Sequence, residues 1–434
     1  MLDKIRISFF DNEIIRKGSI SLFWKIFGAL ISFVFLTLVT RLLGVNSWGI
    51  FVLCLSILNI SSIFSRLGVD ILVLKLISSA QTRINEIKNI YFSGLLIVLI
   101  SSLIVSIILY IFSTDLLFLF SSKNESINYI KYICFVIPLF SILTLNEQSF
   151  RGLKQIGLFS FFRNTSKMLF GLIFLLYFYY FLENKDIMLP FKVFQISLCI
   201  VVFISTIILL KRFSFIERIN FFSSKKMLKS SVPMMLSSSI MLLMSWVDTL
   251  MIGGFIGEYE VGLYNVAVRV SLITSITLTA INSITAPKIS ETFNSGRIEA
   301  FKSVVKESTK TIFLSTLPII GVIFLFPDLI LSLFGKDFLL AKTSLFILAF
   351  SQIINSMSGS VAIILNMTGK EKVFRNIIFV ALVINILLNL LLIPKFGIEG
   401  AAIASASSLI FWNLYSVYYV YKEFGVMTFI SYEQ

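Results

Sequence analysis

The residues that could do chemistry in this chain of 434 residues are charged side chains inside long apolar segments. The main basic ones are Lys25, Arg66, Lys167 and Arg269, and Arg163 and Arg375 lie near the same inner level as Lys25 and Lys167. An ionisable residue in a membrane-spanning segment costs about 2.5–3.5 kcal/mol on insertion scales, so it usually lines a polar cavity or pairs with an opposite charge. Lining a cavity, these four would make it basic and suited to an anion. The alternative for those near helix ends is that they reach out to lipid headgroups.

Three carboxylates accompany them. Asp70 lies one helical turn after Arg66, a spacing at which the two can neutralise each other. Asp248 and Arg269 lie on successive apolar segments at a similar depth, roughly 10–12 Å from the outer face at about 1.5 Å per residue. They are either a static ion pair or cavity groups that bind substrate or switch. Glu147, near the inner end of the fourth segment, is either a coupling carboxylate or an interfacial residue.

Other chemistry is excluded by residue type. The chain has no histidine, which removes histidine metal sites, imidazole-dependent triads and histidine proton relays. Its three cysteines lie within apolar runs without a CxxC spacing, and no GxxxxGK[ST] phosphate loop occurs. We therefore expect no metal, no cofactor and no ATP hydrolysis. The remaining energy sources are the membrane potential and an H+ or Na+ gradient.

The elements that must position these charges are helices in lipid. The chain is 57% hydrophobic and 14% charged, contains 45 phenylalanines and has a mean hydropathy of +0.95. Because a spanning helix needs roughly 20 mostly apolar residues, we predict an all-α integral membrane protein with about twelve such helices. They start near residues 19, 47, 90, 128, 160, 191, 232, 262, 309, 341, 374 and 400.

An internal repeat organises these helices. LGVNSWGIF at residues 43–51 matches IGEYEVGLY at residues 256–264, with glycines and an aromatic residue in register. Residues 157–164 and 369–376 share a glycine and, five residues on, Phe-Arg-Asn. The repeat returns after six predicted spans, an even number, so the halves insert in parallel. We predict six-helix bundles at residues 1–222 and 223–434, with a cleft that alternates its access. The repeated glycines at 44, 49, 257 and 262 are expected to permit tight reversals.

The formal net charge of +14 raises the question of nucleic acid. Lysine and arginine are concentrated in the predicted loops on the side of the N-terminus, which is the positive-inside pattern. That places both termini in the cytoplasm. Topology and contact with anionic membrane lipids explain the charge better than nucleic acid.

Several ordered segments resemble a known family. They include TRLLGVNSWGIF at 40–51, WVDTLMIGGFIGEYEVGLYNVAVRV at 246–270 and NLLLIPKFGIEGAAIAS at 389–405. Their order and spacing are similar to those of the polysaccharide biosynthesis flippases, typified by O-antigen transporters. These belong to the multidrug, oligosaccharidyl-lipid and polysaccharide exporter superfamily.

The resemblance implies a V-shaped, MATE-like pair of bundles. It implies transport of a polyprenyl-pyrophosphate-linked oligosaccharide, such as an O-antigen repeat unit of lipopolysaccharide, from the cytoplasmic to the outer leaflet of a bacterial inner membrane. Family members use basic cavity residues for the pyrophosphate, a role that would fall here to Lys25, Arg66, Lys167 and Arg269. A polysaccharide polymerase and chain-length machinery would be protein partners.

Other functions stay open at this stage. A lipid II flippase of the same superfamily would generally carry extra helices, for which about twelve spans leave no room. A drug or cation antiporter of the same superfamily would favour an acidic cavity, whereas the charges here are mostly basic. A membrane-embedded polysaccharide polymerase would be an enzyme of a different class, but such enzymes usually have a large outer loop. We expect a transporter and not an enzyme.

Overall fold

The computed structural model describes residues 2–80, 83–115, 126–213, 220–222 and 224–429. Across those ranges the chain forms helices and no β-strand. It separates into two compact units, Met1–Leu242 and Leu243–Gln434. The all-α membrane fold is thereby confirmed, and the division into bundles at residues 222 and 223 stays a prediction.

The first unit is built from helices, four of which have more than 20 residues. In chain order they are α1 (Leu2–Arg66), α2 (Val69–Ala80), α3 (Ile84–Ile111), α4 (Ser126–Gly152), α5 (Ile156–Ser160), a π-helix (Phe161–Ser166), α6 (Lys167–Tyr180) and α7 (Leu189–Leu210). The next helix, α8 (Ser224–Phe255), begins in the first unit and ends in the second.

The second unit continues the same pattern. Its helices are α9 (Glu258–Ser271), α10 (Ser275–Asn294), α11 (Ile298–Leu325), α12 (Pro327–Ser332), α13 (Lys342–Ser358), α14 (Val361–Met367) and α15 (Glu371–Phe424), with 3₁₀ turns at Leu272–Thr274 and Lys336–Ala341.

Two of these helices are too long to be single spans. Helix α1 has 65 residues and α15 has 54, whereas about 20 residues cross the hydrocarbon layer. Each is broken by a glycine outside the helical region: Gly44 at φ 84°, ψ 179° and Gly397 at φ 59°, ψ −135°. Both conformations are readily available only to glycine. Each long helix is therefore two helices joined at a glycine.

The repeated glycines do not all contribute to the reversals. Gly257 has φ 141° and ψ 178°, close to the ψ of Gly44, so these two repeat-related glycines do turn the chain. Gly49 and Gly262 lie within helix, and neither has a positive φ. Their expected role in the reversal is wrong, because the turn needs one left-handed residue and the helix resumes after it.

The chain is a multi-pass membrane protein. Eight helices in the described ranges, or nine if the bent pair Ser224–Leu236 and Ser239–Phe255 counts as one span, are long and apolar enough to cross a bilayer. Two of the eight are the glycine-broken helices α1 and α15. All twelve predicted starting points fall within helical segments, and the count of twelve stays a prediction.

The break at Gly44 gives the first testable prediction. A Cβ atom at Gly44 would meet no atom within 4 Å, so Gly44→Ala introduces backbone strain without a steric clash. We expect it to lower the free energy of unfolding by about 1–3 kcal/mol, measured by thermal unfolding in detergent. Gly321→Ala is the matched control, since Gly321 also has open space but lies inside α11. That control should stabilise the protein by about 0.5–1 kcal/mol, and equal effects of the two substitutions would contradict the assignment.

Candidate functional site

A carboxylate in the first unit holds two cations. Glu147 on α4 accepts a hydrogen bond from the Nζ of Lys167, at 3.0 Å, at the start of α6. The Nη1 of Arg163 lies 3.9 Å from its other oxygen. The side chains of Glu147 and Lys167 are 4% and 16% exposed, whereas Arg163 is 50% exposed. Glu147 is thus the buried counter-ion of a cluster that opens through Arg163.

Two further cations lie near Arg163. Lys25 on α1 and Arg151 at the end of α4 both lie close enough to Arg163 for mutual charge repulsion. The guanidinium groups of Arg151 and Arg163 lie 5.5 and 5.7 Å from the ring centroid of Phe159, within cation–π range. We call Lys25, Arg151, Arg163, Lys167 and Glu147 the basic cluster. Its four cations and one carboxylate leave an excess of positive charge, which is suited to an anion.

The local fold explains why Arg163 reaches this place. Arg163 lies in the π-helix, which packs directly against α1: Thr165 donates to the carbonyl of Trp24 at 2.8 Å, and Ser21 and Ser160 share a hydrogen bond of 2.8 Å. A Cβ atom at Gly28 would come within 2.4 Å of the carbonyl oxygen of Asn164. The absence of that side chain lets α1 approach closely. π-Helical turns often occur at functional sites, since the wider turn changes the direction of its side chains.

A small polar cavity adjoins the basic cluster. It has a volume of about 170 Å³, lies wholly within the first unit, and is lined by Arg66, Asp70, Gln148 and Arg163 among others. Arg66 donates to Asp70 at 3.0 Å, which confirms the predicted pairing one turn apart. Arg163 belongs to both the cavity and the cluster, so it connects the two.

The second unit buries a carboxylate in a different setting. Asp248 on α8 is 7% exposed and accepts hydrogen bonds from Tyr264 at 3.0 Å, from Asn389 at 2.6 Å and from Ser405. These partners come from α9 and from the two parts of α15. Three neutral donors therefore hold the carboxylate, and the predicted partner Arg269 is not one of them.

The interpretation of Asp248 and Arg269 as a static ion pair is wrong. Within the described ranges no carboxylate oxygen lies within 4.0 Å of the Arg269 guanidinium, since the hydroxyl and amide donors occupy Asp248. Equal predicted depth did not imply contact, because helix rotation decides which side chains face each other. The alternative, that both are cavity groups, stays a prediction.

Comparison of the two repeats shows that the first unit has phenylalanines at the positions of Asp248 and Tyr264. Shifting Asp248 and Tyr264 back by the repeat offset of 213 gives Phe35 and Phe51. In the first unit those two rings pack together, with their centroids 5.5 Å apart. An apolar contact in one half is a hydrogen-bonded carboxylate in the other.

Of the seven site residues predicted from the sequence, four lie in the first unit and belong to the basic cluster or line the cavity: Arg66, Asp70, Glu147 and Lys167. Lys25 joins them through Arg163, and Asp248 and Arg269 lie in the second unit. The residues predicted from the sequence did not include Arg151, Gln148, Tyr264, Asn389 and Ser405. Comparing the two repeats could have identified Tyr264, since the corresponding residue of the first repeat is Phe51, which lacks the hydroxyl group. In the part of the chain that the structure describes, no three carboxylates or cysteines group as metal ligands.

Solved structures share this architecture. The lipid II flippase MurJ, in an inward closed conformation, superposes with a TM-score of 0.76 over 94% of this chain and 87% of that one, at 17% identity. An inward-facing multidrug resistance MATE family transporter of the MOP superfamily gives 0.67 over 92% and 98%, at 15% identity. The chain therefore has a MATE-like membrane fold.

The sequence comparisons make this more specific. The profile described as polysaccharide biosynthesis protein matches residues 14–293, and the MatE profile matches residues 233–391. Because the first covers more than half of the chain, the chain belongs to the polysaccharide biosynthesis protein family.

Curated relatives match over part of their length. A probable low-salt glycan biosynthesis flippase, Agl15, of Haloferax volcanii is 32% identical over 165 residues, which is 38% of this chain and 35% of the relative. The capsular polysaccharide biosynthesis protein CapF of Staphylococcus aureus is 25% identical over 194 residues, 44% and 49% of the two chains. The matched region thus spans between about a third and a half of these relatives.

The Glu147 interactions give the second prediction. Glu147→Gln leaves Lys167 buried without its counter-ion, and we expect a loss of about 3–5 kcal/mol in the free energy of unfolding, since breaking a buried pair leaves an uncompensated charge. Thermal unfolding in detergent measures it. Asp186→Asn is the control, because it breaks an exposed pair with Lys192 and should cost less than about 1 kcal/mol. A similar small loss for both variants would refute the role of Glu147 as counter-ion.

Proposed function

We propose that the protein is a flippase for a lipid-linked oligosaccharide and that the basic cluster binds the pyrophosphate of its lipid carrier. The observation that carries this proposal is the pairing of Lys167 and Arg163 with the buried carboxylate of Glu147, with Lys25 and Arg151 near Arg163 in the same unit. A pyrophosphate diester carries two negative charges and several acceptor oxygens. Arginine and lysine donors form strong, charge-assisted hydrogen bonds with such oxygens.

Glu147 has a definite part in this mechanism. Without substrate it neutralises Lys167 and partly neutralises Arg163, which lowers the cost of keeping them in an apolar layer. An arriving pyrophosphate competes with Glu147 for the same donors. The half-exposed Arg163 is available first, because its 3.9 Å pair is the longer of the two. The site is then preorganised for an anion without an unpaired buried cation in the empty state.

Arg66 and Arg269 complete the proposed set of cations. Arg66 lies in the adjoining cavity with Asp70, so it acts beside the cluster and not within it. Arg269 is half-buried in the second unit and has no carboxylate within 4.0 Å among the described residues. A cation of this kind in an apolar segment is costly without a ligand, which favours an anion-binding role during transport.

The known relatives support this function over the alternatives. Two Haloferax volcanii relatives are described as probable flippases, Agl15 and AglR, and CapF is described as a capsular polysaccharide biosynthesis protein. We infer a transporter and not an enzyme, which sets aside the polymerase. The substrate would be an O-antigen or similar repeat unit that moves from the cytoplasmic to the outer leaflet of a bacterial inner membrane. Both termini would be cytoplasmic, and a polymerase and chain-length machinery would act next.

Membrane potential provides one source of energy. Moving one charge through 100 mV is worth about 2.3 kcal/mol, so a doubly charged headgroup gains about 4.6 kcal/mol when it moves outward from a negative interior. The site needs no cofactor in this scheme.

An H+ or Na+ gradient, coupled through Asp248, provides a second source of energy. Its carboxylate, the Tyr264 and Ser405 hydroxyls and the Asn389 amide form a buried group of oxygen atoms. The Oδ1 of Asn389 has no hydrogen-bond partner among the described residues. Oxygen ligands around one carboxylate suit a proton or Na+. We assign to Asp248 the coupling of transport to an H+ or Na+ gradient.

The third prediction tests the basic cluster. In proteoliposomes with an imposed inside-negative potential, Lys167→Gln should slow movement of a fluorescent polyprenyl-pyrophosphate-linked oligosaccharide by tenfold or more, since one charge-assisted hydrogen bond is worth about 1.5–3 kcal/mol. Arg269→Gln should also slow it. Lys192→Gln is the control, because Lys192 pairs with Asp186 outside the cluster. Equal rates in all four proteins would rule out the proposed anion site, and chemical processing of the substrate would favour the polymerase.

The fourth prediction concerns coupling. Asp248→Asn should abolish stimulation of transport by an H+ or Na+ gradient while transport driven by potential persists. Asp328→Asn is the control, because Asp328 is an exposed partner of Lys342 in the same unit. Assays with each gradient imposed separately identify the ion. Unchanged stimulation in Asp248→Asn would show that coupling, if present, lies elsewhere, and export of a cationic drug instead of the glycolipid would favour the antiporter.

A further inference from the structure

The cavity beside the basic cluster differs from the cluster in its charge. Arg66 is neutralised by Asp70 at 3.0 Å, and Arg163 is shared with Glu147. Arg66 uses three of its five N–H donors, one each on the Ser62 carbonyl, the Ser62 hydroxyl and Asp70. Two donors remain. A second phosphate here would face the Asp70 carboxylate, so the cavity is less suited to an anion than the cluster is.

Gln148 contributes to the cavity an amide oxygen that has no hydrogen-bond donor among the described residues. The residue is 7% exposed and lines the cavity, yet its Oε1 has no hydrogen bond to any described residue. Leaving such a group buried and unpaired costs about 1–3 kcal/mol. A bound molecule with hydroxyl groups would remove that cost. It would also match the remaining donors of Arg66 and the acceptor oxygens of Asp70.

The lining residues and the volume of the cavity further restrict which ligand it can hold. Ile63, Ile71 and Leu242 contribute apolar surface next to the polar groups. The volume of about 170 Å³ holds roughly five to six waters at about 30 Å³ each, which is room for one ring and not for an oligosaccharide. A sugar ring has this dual character, with hydroxyl groups at its edge and C–H groups on its faces.

From these features we infer that the cavity is a subsite for the first sugar, the one bonded directly to the pyrophosphate. This inference rests on the proposed function, which assigns the pyrophosphate to the basic cluster. Arg163 lies at the junction, since it lines the cavity and pairs with Glu147. A pyrophosphate and its attached sugar are adjacent in the substrate as the cluster and the cavity are adjacent in the protein. Gln148 is then a specificity residue for a neutral, hydroxyl-bearing sugar.

The test compares two lipids that differ by one sugar. Purified protein in nanodiscs is titrated with polyprenyl pyrophosphate and with polyprenyl pyrophosphoryl-N-acetylglucosamine. The unaltered protein should bind the glycosylated lipid at least tenfold more tightly. Gln148→Leu should reduce that ratio to less than threefold, with unchanged affinity for the sugar-free lipid. Its melting temperature should not fall, because the replaced amide oxygen has no partner to lose.

Controls separate this inference from the proposed function. Gln195→Leu makes the same chemical change on α7, outside the cavity, and should keep the tenfold ratio. Lys167→Gln should weaken both lipids together. Tight binding of the sugar-free lipid without a preference for the sugar, or an equal loss for both lipids in Gln148→Leu, would overturn the sugar subsite and leave the flippase intact. Binding of neither lipid would overturn both.

Discussion

Charge neutralisation inside an apolar layer is the constraint on which the rest of the first unit depends. A lone cation there is expensive, and the chain places Lys167 and Arg163 against one buried carboxylate, Glu147. The arrangement needs α4 and the start of α6 side by side, and it needs the π-helix to turn Arg163 toward α4. The close approach of α1 at Gly28 in turn supports that π-helix. The close packing of α1 at Gly28 and the ion pairs of Glu147 therefore depend on each other.

The same constraint is met differently in the second unit. Asp248 is not opposed by a cation but is held by a phenol, an amide and a hydroxyl. Three neutral donors stabilise the carboxylate without neutralising its charge. At the positions that correspond to Asp248 and Tyr264 in the first unit, two aromatic rings pack together. The two halves descend from one pattern of helices, yet one presents excess positive charge and the other a buried carboxylate.

This difference suits a transporter that has two tasks. In the proposed mechanism, the basic cluster would bind an anionic headgroup and the separate carboxylate would respond to an ion gradient. Locating them in different units means that a change at one need not disrupt the ion pairs of the other, as long as their coupling proceeds through movement of the helices. In the same proposal, the polar cavity of Arg66, Asp70 and Gln148 would add selectivity beside the cluster, because neutral hydrogen-bonding groups discriminate among sugars better than long-range charge does.

Much of the fold was determined by the sequence itself. Long apolar runs can satisfy their backbone groups in lipid only as helices, so composition and hydropathy sufficed for an all-α membrane protein. The repeat correctly related Gly44 to Gly257, because a left-handed turn at a helix junction leaves a glycine in the sequence. The pairing of Arg66 with Asp70 was also visible, since a spacing of four residues on one helix fixes their distance.

Contacts between helices were decided only by the tertiary structure. Depth estimates brought Asp248 and Arg269 to one level, but the rotation of each helix about its axis left Asp248 facing Tyr264, Asn389 and Ser405. Glu147 and Lys167 are 20 residues apart, and their ion pair depends on how α4 and α6 pack. The unpaired amide of Gln148 has no signature in the sequence at all, because an absent partner can be recognised only when every neighbour is in place. Local spacing is a property of the chain, whereas the facing of side chains across helices is a property of the packed molecule.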